Sequence, residues 1–79
     1  MAVDWFLIDA PHVAPREYEA WRAAKAQHEA LFYCVLDAED GTDAQRALEL
    51  AALEAKSEAD RLEQVARDAW RRTWRAPGA

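Results

Sequence analysis

Cysteine occurs once in these 79 residues, at Cys34, so the chain cannot close a disulfide on itself. The two histidines, His12 and His28, do not combine with that thiol in a spacing that holds zinc. Glycine is limited to Gly41 and Gly78, which excludes a glycine-rich phosphate-binding loop. The sole serine, Ser57, stands in no nucleophile motif. No apolar run approaches the ~20 residues needed to span a bilayer. The opening residues are interrupted by Asp4 and Asp9 and do not read as a secretory signal. These absences lead to the expectation of a cytoplasmic protein with no cofactor, no metal and no membrane association.

Basic residues are also scarce ahead of position 61: five Lys/Arg stand against thirteen Asp/Glu, a balance of −8. Residues 61–79 reverse the sign to +3, with Arg61, Arg67, Arg71, Arg72 and Arg75 against Glu63 and Asp68. An acidic body disfavours nucleic-acid binding over the whole surface and leaves the basic end as a local candidate. The abundance of alanine, and of arginine over lysine, is the composition of a GC-rich bacterial or phage genome. A chain this short buries roughly 60% of its unfolded surface, so its stability is marginal without help. With no disulfide or metal in view, a partner protein or further copies of the chain are the natural source of that help.

Hydrophobic periodicity places two long helices. Pro15 suits the first turn of a helix, where its missing N–H is no loss. From there Tyr18, Trp21, Lys25, His28, Phe32 and Val35 recur at a 3-4-3-4-3 spacing, with Ala24, Leu31 and Leu36 beside them. Gly41 can take the left-handed conformation that ends a helix, and "TDAQ" after it matches a capping box. The second helix then runs to about residue 75, where "APG" stops it. Its apolar positions can be placed on an eleven-residue repeat: Leu48, Ala59 and Trp70; Ala51, Leu62 and Thr73; Ala55 and Ala66. That repeat predicts a helix that is nearly straight or slightly right-handed in its supercoil. Glu63 with Arg67 and Asp68 with Arg72 are spaced as i,i+4 ion pairs.

The expected fold is therefore mainly α: an antiparallel two-helix hairpin over about 15–37 and 42–75, in one small domain covering 1–79. Ahead of it, residues 3–9 are expected to form a short extended segment, because Val, Trp, Phe and Ile cluster there between prolines. The short loop makes the helices antiparallel and sets Trp21 opposite Ala59, and Tyr18 opposite Leu62. The second helix then overshoots the first by about ten residues. Trp70 and Trp74 on that overhang await a cover, either this chain's own N-terminal segment or, as expected here, a neighbour's. Trp21 and Phe32 are expected to hold the hairpin together.

His28 reads as a residue set into the helix seam rather than a catalytic or metal group. The diiron pattern needs a glutamate where Lys25 stands. Cys34, beside Phe32 and Tyr33 in an acidic region, reads as a small buried hydrophobe rather than a reactive thiol. Asp37, Glu39, Asp40 and Asp43 cluster at the hairpin tip without the alternation of a calcium loop.

The function these patterns favour is non-enzymatic protein–protein interaction, as an accessory or assembly subunit in a homo- or hetero-oligomer. The candidate partner-binding residues are Trp5, Phe6, Ile8, Trp70, Arg71, Trp74 and Arg75, since Trp with Arg is the composition of interface hot spots. A second reading is a small acidic inhibitor, of the kind phages encode, that blocks a basic nucleic-acid-binding surface through Glu49, Glu54, Glu58 and Asp60. A third is an enzyme whose site gathers His28, His12, Glu29 and Cys34 from several chains.

Overall fold

The computed structural model describes residues 3–73, and these fold into three α-helices with no strand among them: α1 (Trp5–Val13), α2 (Pro15–Asp37) and α3 (Asp43–Thr73). The expected long hairpin is present, with α2 beginning at Pro15 as the sequence requires. Its tip is latched by side chains. Gly41 adopts φ +77°, the left-handed conformation. The Gln45 N–H donates to Thr42 Oγ1 at 3.1 Å, and Gln45 Oε1 accepts from the Gly41 N–H at 2.9 Å. This is the reciprocal capping box, with its return bond displaced by one residue toward the turn. Thr42 Oγ1 also donates to the Glu39 carbonyl at 2.8 Å.

The N-terminal segment departs from expectation: it is helical, not extended. Asp4 caps it, its Oδ1 accepting from the Phe6 N–H at 3.2 Å while its carbonyl accepts from the Leu7 N–H at 3.1 Å. Pro15 ends it, because a residue preceding proline is pushed out of the helical region. Ala14 accordingly sits at φ −136°, ψ 63° between the two helices. Nine residues are too few to hold a helix in water, so α1 owes its form to packing. Phe6 and Ala10, four apart and therefore on one face, are both fully buried.

What they are buried against is this chain, not a neighbour. Phe6, Ala10, Trp21 and Ala66 form the core, with Tyr18, Leu62 and Trp70 packed around it. The Phe6 ring lies 5.4 Å from Trp21, 5.8 Å edge-on from Trp70 and 6.0 Å from Tyr18. The overhanging end of the hairpin thus receives the N-terminal segment of its own chain. Trp74, the other tryptophan assigned to the overhang, lies outside the described residues.

The seam between α2 and α3 also differs from the expected one. Along α3 the buried and half-buried positions include Leu48, Ala52, Ala55, Ala59, Leu62, Ala66 and Ala69, spaced alternately by four and three, and also Ala51 and Trp70. The first seven fit a seven-residue repeat, the seam of a coiled coil, while all of the eleven-residue stripe except the exposed Thr73 also faces inward. Along α2 the inward positions include Tyr18, Trp21, Ala24, His28, Leu31 and Val35, followed by Ala38 at its C-cap. Lys25 and Phe32 face out, so Phe32 does not hold the hairpin together; Leu31 takes that position. Cys34 is exposed rather than buried. Alanine at most inward positions of α3 lets the helices approach closely, and the molecule extends 58 × 24 × 15 Å.

Candidate functional site

The described structure leaves two apolar surfaces open, one at each end of the hairpin. The first is the outer side of α1. Trp5, Ile8 and His12 follow one another at helical spacing away from the buried Phe6–Ala10 side, and all three are exposed, Trp5 by 58%. Val3 and Leu7 extend the exposed apolar area on either side.

A polar clamp holds this helix from behind. Arg67 of α3 reaches Asp4 at 3.0 Å through Nη2 and at 3.5 Å through Nη1, and its Nε donates to Glu63 at 2.8 Å. The same guanidinium lies 4.3 Å from the centre of the Phe6 ring. The expected Glu63–Arg67 pair is therefore present and serves an additional purpose. Asp68 pairs with Arg71 at 3.2 Å rather than with Arg72.

Hydrogen bonding from Arg67 holds the Asp4 carboxyl below its ordinary value, assisted by the arginine's charge and by the Phe6 N–H, against a smaller desolvation effect. Asp4 in turn pushes Arg67 further up, so the guanidinium stays charged throughout the accessible pH range. A depressed carboxyl contributes stability above its unfolded value and loses it as pH falls through the folded one. The stability difference between the native chain and Asp4→Asn should accordingly be constant near neutrality. It should shrink as pH drops below about 4, the ordinary carboxylate value. Denaturant titrations of both proteins across that range check it; a difference independent of pH would show that the Asp4 charge plays no part.

The second surface is a groove of about 510 Å³ on the distal half of the hairpin. Its walls are His28, Phe32 and Val35 from α2, facing Ala52 and Leu53 from α3, with Glu49 and Lys56 at its rim. Leu36 and Leu50 are exposed nearby in sequence on the same two helices. The exposure of Phe32, which the expected seam did not allow, is what opens this groove.

Among the residues singled out from the sequence, Trp5 and Ile8 are offered to solvent on one stripe. Phe6 is enclosed within the chain and is not available to a partner. Trp70 is half-buried against Phe6, whereas Arg71 is exposed one turn beyond Arg67. Arg75, like Trp74, lies outside the described residues.

The acidic residues do not form one stripe. Helical geometry puts Glu49 and Asp60 on one side of α3 and Glu54 and Glu58 on the opposite side. Two of the four are also engaged within the helix, Asp60 by Lys56 and Glu58 by Arg61. Of the residues assigned to a possible multichain enzyme, His12 lies on α1, and His28, Glu29 and Cys34 lie on α2. Among the described residues no three His, Cys, Asp or Glu side chains converge as a metal-binding group. None of the described helices is long and apolar enough to cross a membrane.

These features define a mainly helical chain: a hairpin closed at its open end by a third, short helix. Comparison with protein-family models, with curated proteins and with solved structures yields no match to it.

Proposed function

We propose that this protein is a non-enzymatic binding module, an accessory or assembly subunit that engages another protein through the outer stripe of α1. The observation that carries this reading is the exposure of Trp5 and Ile8 on a helix anchored from behind by Phe6 and by the Asp4–Arg67 clamp. Tryptophan on a rigid element is the usual anchor of an interface, because little ordering cost remains when it binds. Arg71, exposed one turn beyond the clamp and paired with Asp68, is the charged residue proposed to flank it. The seam, by contrast, contains mostly alanine and aliphatic side chains and offers little to chemistry.

The test uses the full chain as bait in an extract of its native source. The wild-type protein should retain a discrete partner, and Trp5→Glu/Ile8→Glu should retain it at least tenfold less while keeping its helical circular dichroism. Equal retention by both proteins would remove α1 from the interface.

A further inference from the structure

We propose that the distal groove is the site at which a second copy of this chain docks, forming an antiparallel, two-fold symmetric four-helix assembly. The proposal concerns the opposite end of the hairpin from the α1 stripe and does not depend on it.

Three observations point to a second copy rather than an unrelated occupant. The first is area. The chain exposes 6010 Å², against ~4900 Å² for a compact globular protein of its 9.0 kDa mass. Its radius of gyration is 16.3 Å where ~12 Å is expected for this length. The surplus, roughly 1100 Å², is spread along the 58 Å rod, and a second copy laid along its distal half can cover the ~800 Å² that each partner contributes to a stable interface.

The second observation is charge. Across the groove face of α3 run Glu49, Ala52, Leu53 and Lys56, a sequence that is its own complement when reversed. A two-fold axis between positions 52 and 53 sets each Leu53 into the space above the other copy's Ala52. It also sets each Glu49 opposite the other copy's Lys56, twice over. An isologous interface demands this self-complementarity, in which residue i meets j and j meets i.

The third observation is the position of Phe32. It lines the same groove from α2, about one helical turn from the axis toward the hairpin tip. Each Phe32 therefore lies against the helices of the facing copy beside the axis, which covers an aromatic side chain that is 49% exposed in the single chain. His28 flanks it on the seam side and becomes further enclosed.

This arrangement has a consequence for the binding reading. The core around Ala66 is about 13 residues from the axis along α3, or ~20 Å at 1.5 Å per residue. The two α1 helices of a dimer would then lie roughly 40 Å apart at opposite ends. A pair of identical binding stripes at such a separation makes the dimer a bivalent connector.

Sedimentation equilibrium of the full chain tests the proposal. At roughly 100 µM, well above micromolar dissociation constants, the wild-type mass should be about 18 kDa, twice the 9.0 kDa chain. Phe32→Glu/Leu53→Glu should sediment as a monomer with unchanged helicity, because both side chains are already exposed. Glu49→Lys alone and Lys56→Glu alone should each weaken dimerisation at least tenfold, and the double exchange Glu49→Lys/Lys56→Glu should restore it. Lys56→Glu also breaks the Lys56–Asp60 pair within α3. The double exchange does not repair that pair, so recovery can come only from contact between copies.

A wild-type protein that remains monomeric, including one that captures some other protein in this groove, overturns the proposal. So does a dimer that survives Phe32→Glu/Leu53→Glu but dissociates on Trp5→Glu/Ile8→Glu, which would locate self-association at α1. A double exchange that stays as weak as the singles overturns the antiparallel register.

Discussion

Phe6→Ala is expected to destabilise the chain by about 3–5 kcal/mol, the range for removing a buried phenylalanine. Phe6 is the largest side chain with no solvent exposure at all, and three other aromatic rings and a guanidinium surround it. Aromatic pairs contribute about 0.5–1.5 kcal/mol each beyond area burial, so three lost together favour the upper part of that range. A domain of this length holds only about 4–12 kcal/mol in total. The substitution should therefore lower the midpoint of thermal unfolding by roughly 20 °C. It should also expose the peptide between α1 and α2 to protease, since Ala14 and Pro15 then join a helix that nothing anchors. A loss below about 1 kcal/mol would mean that α1 docks without supporting the hairpin.

The hairpin that Phe6 packs against is written plainly in the sequence. Proline, glycine and threonine marked the hairpin without ambiguity, because each acts through its own backbone geometry: Pro15 at the start, Gly41 and Thr42 at the turn. The seam was harder to read because α3 is dense in alanine. Seven-residue and eleven-residue stripes can both be drawn through Leu48, Ala55, Ala59, Leu62 and Ala66, and the burial pattern accommodates both. On α2 the adjacent Leu31 and Phe32 compete for one inward position. The larger ring was expected inside, yet alanines approaching from α3 leave room for the narrower leucine and turn Phe32 outward.

For residues 3–9 the β-favouring composition suggested a strand, whereas tertiary packing determined the outcome. The local clue was Asp4, followed by an apolar pair spaced four apart at Phe6 and Ala10, which is a capped helix with one buried stripe. The destination of this segment, the Trp70 end of the long helix, was legible from helix lengths alone. That it belongs to the same chain was not, since register arithmetic constrains height along the rod and not the identity of the covering segment. The outward Trp5–Ile8 stripe follows from that docking, and composition alone could not separate it from the buried Phe6 between them.

Trp21→Ala should match or exceed Phe6→Ala, at about 3–5 kcal/mol, for a different reason. Trp21 is the one buried residue of α2 and stands at the junction of all three helices. It packs on Phe6 from α1, on Tyr18 at 5.6 Å within α2, and on Ala66 from α3. Because the rest of the buried α3 seam is alanine, few other large side chains resist separation of the two long helices. Phe6→Ala releases α1, whereas Trp21→Ala releases α1 and loosens the hairpin as well. The variant should melt broadly with little cooperativity, and Trp21→Phe should recover about half the loss by restoring a ring at the junction. Phe6→Ala/Trp21→Ala should cost less than the two single changes added together, by about 1 kcal/mol. Each single change already forfeits the ring contact they share, and that contact can be lost only once. Additivity in urea titrations of the four proteins would show that the rings pack independently, and that α1 is held by the Arg67 clamp rather than by the aromatic junction.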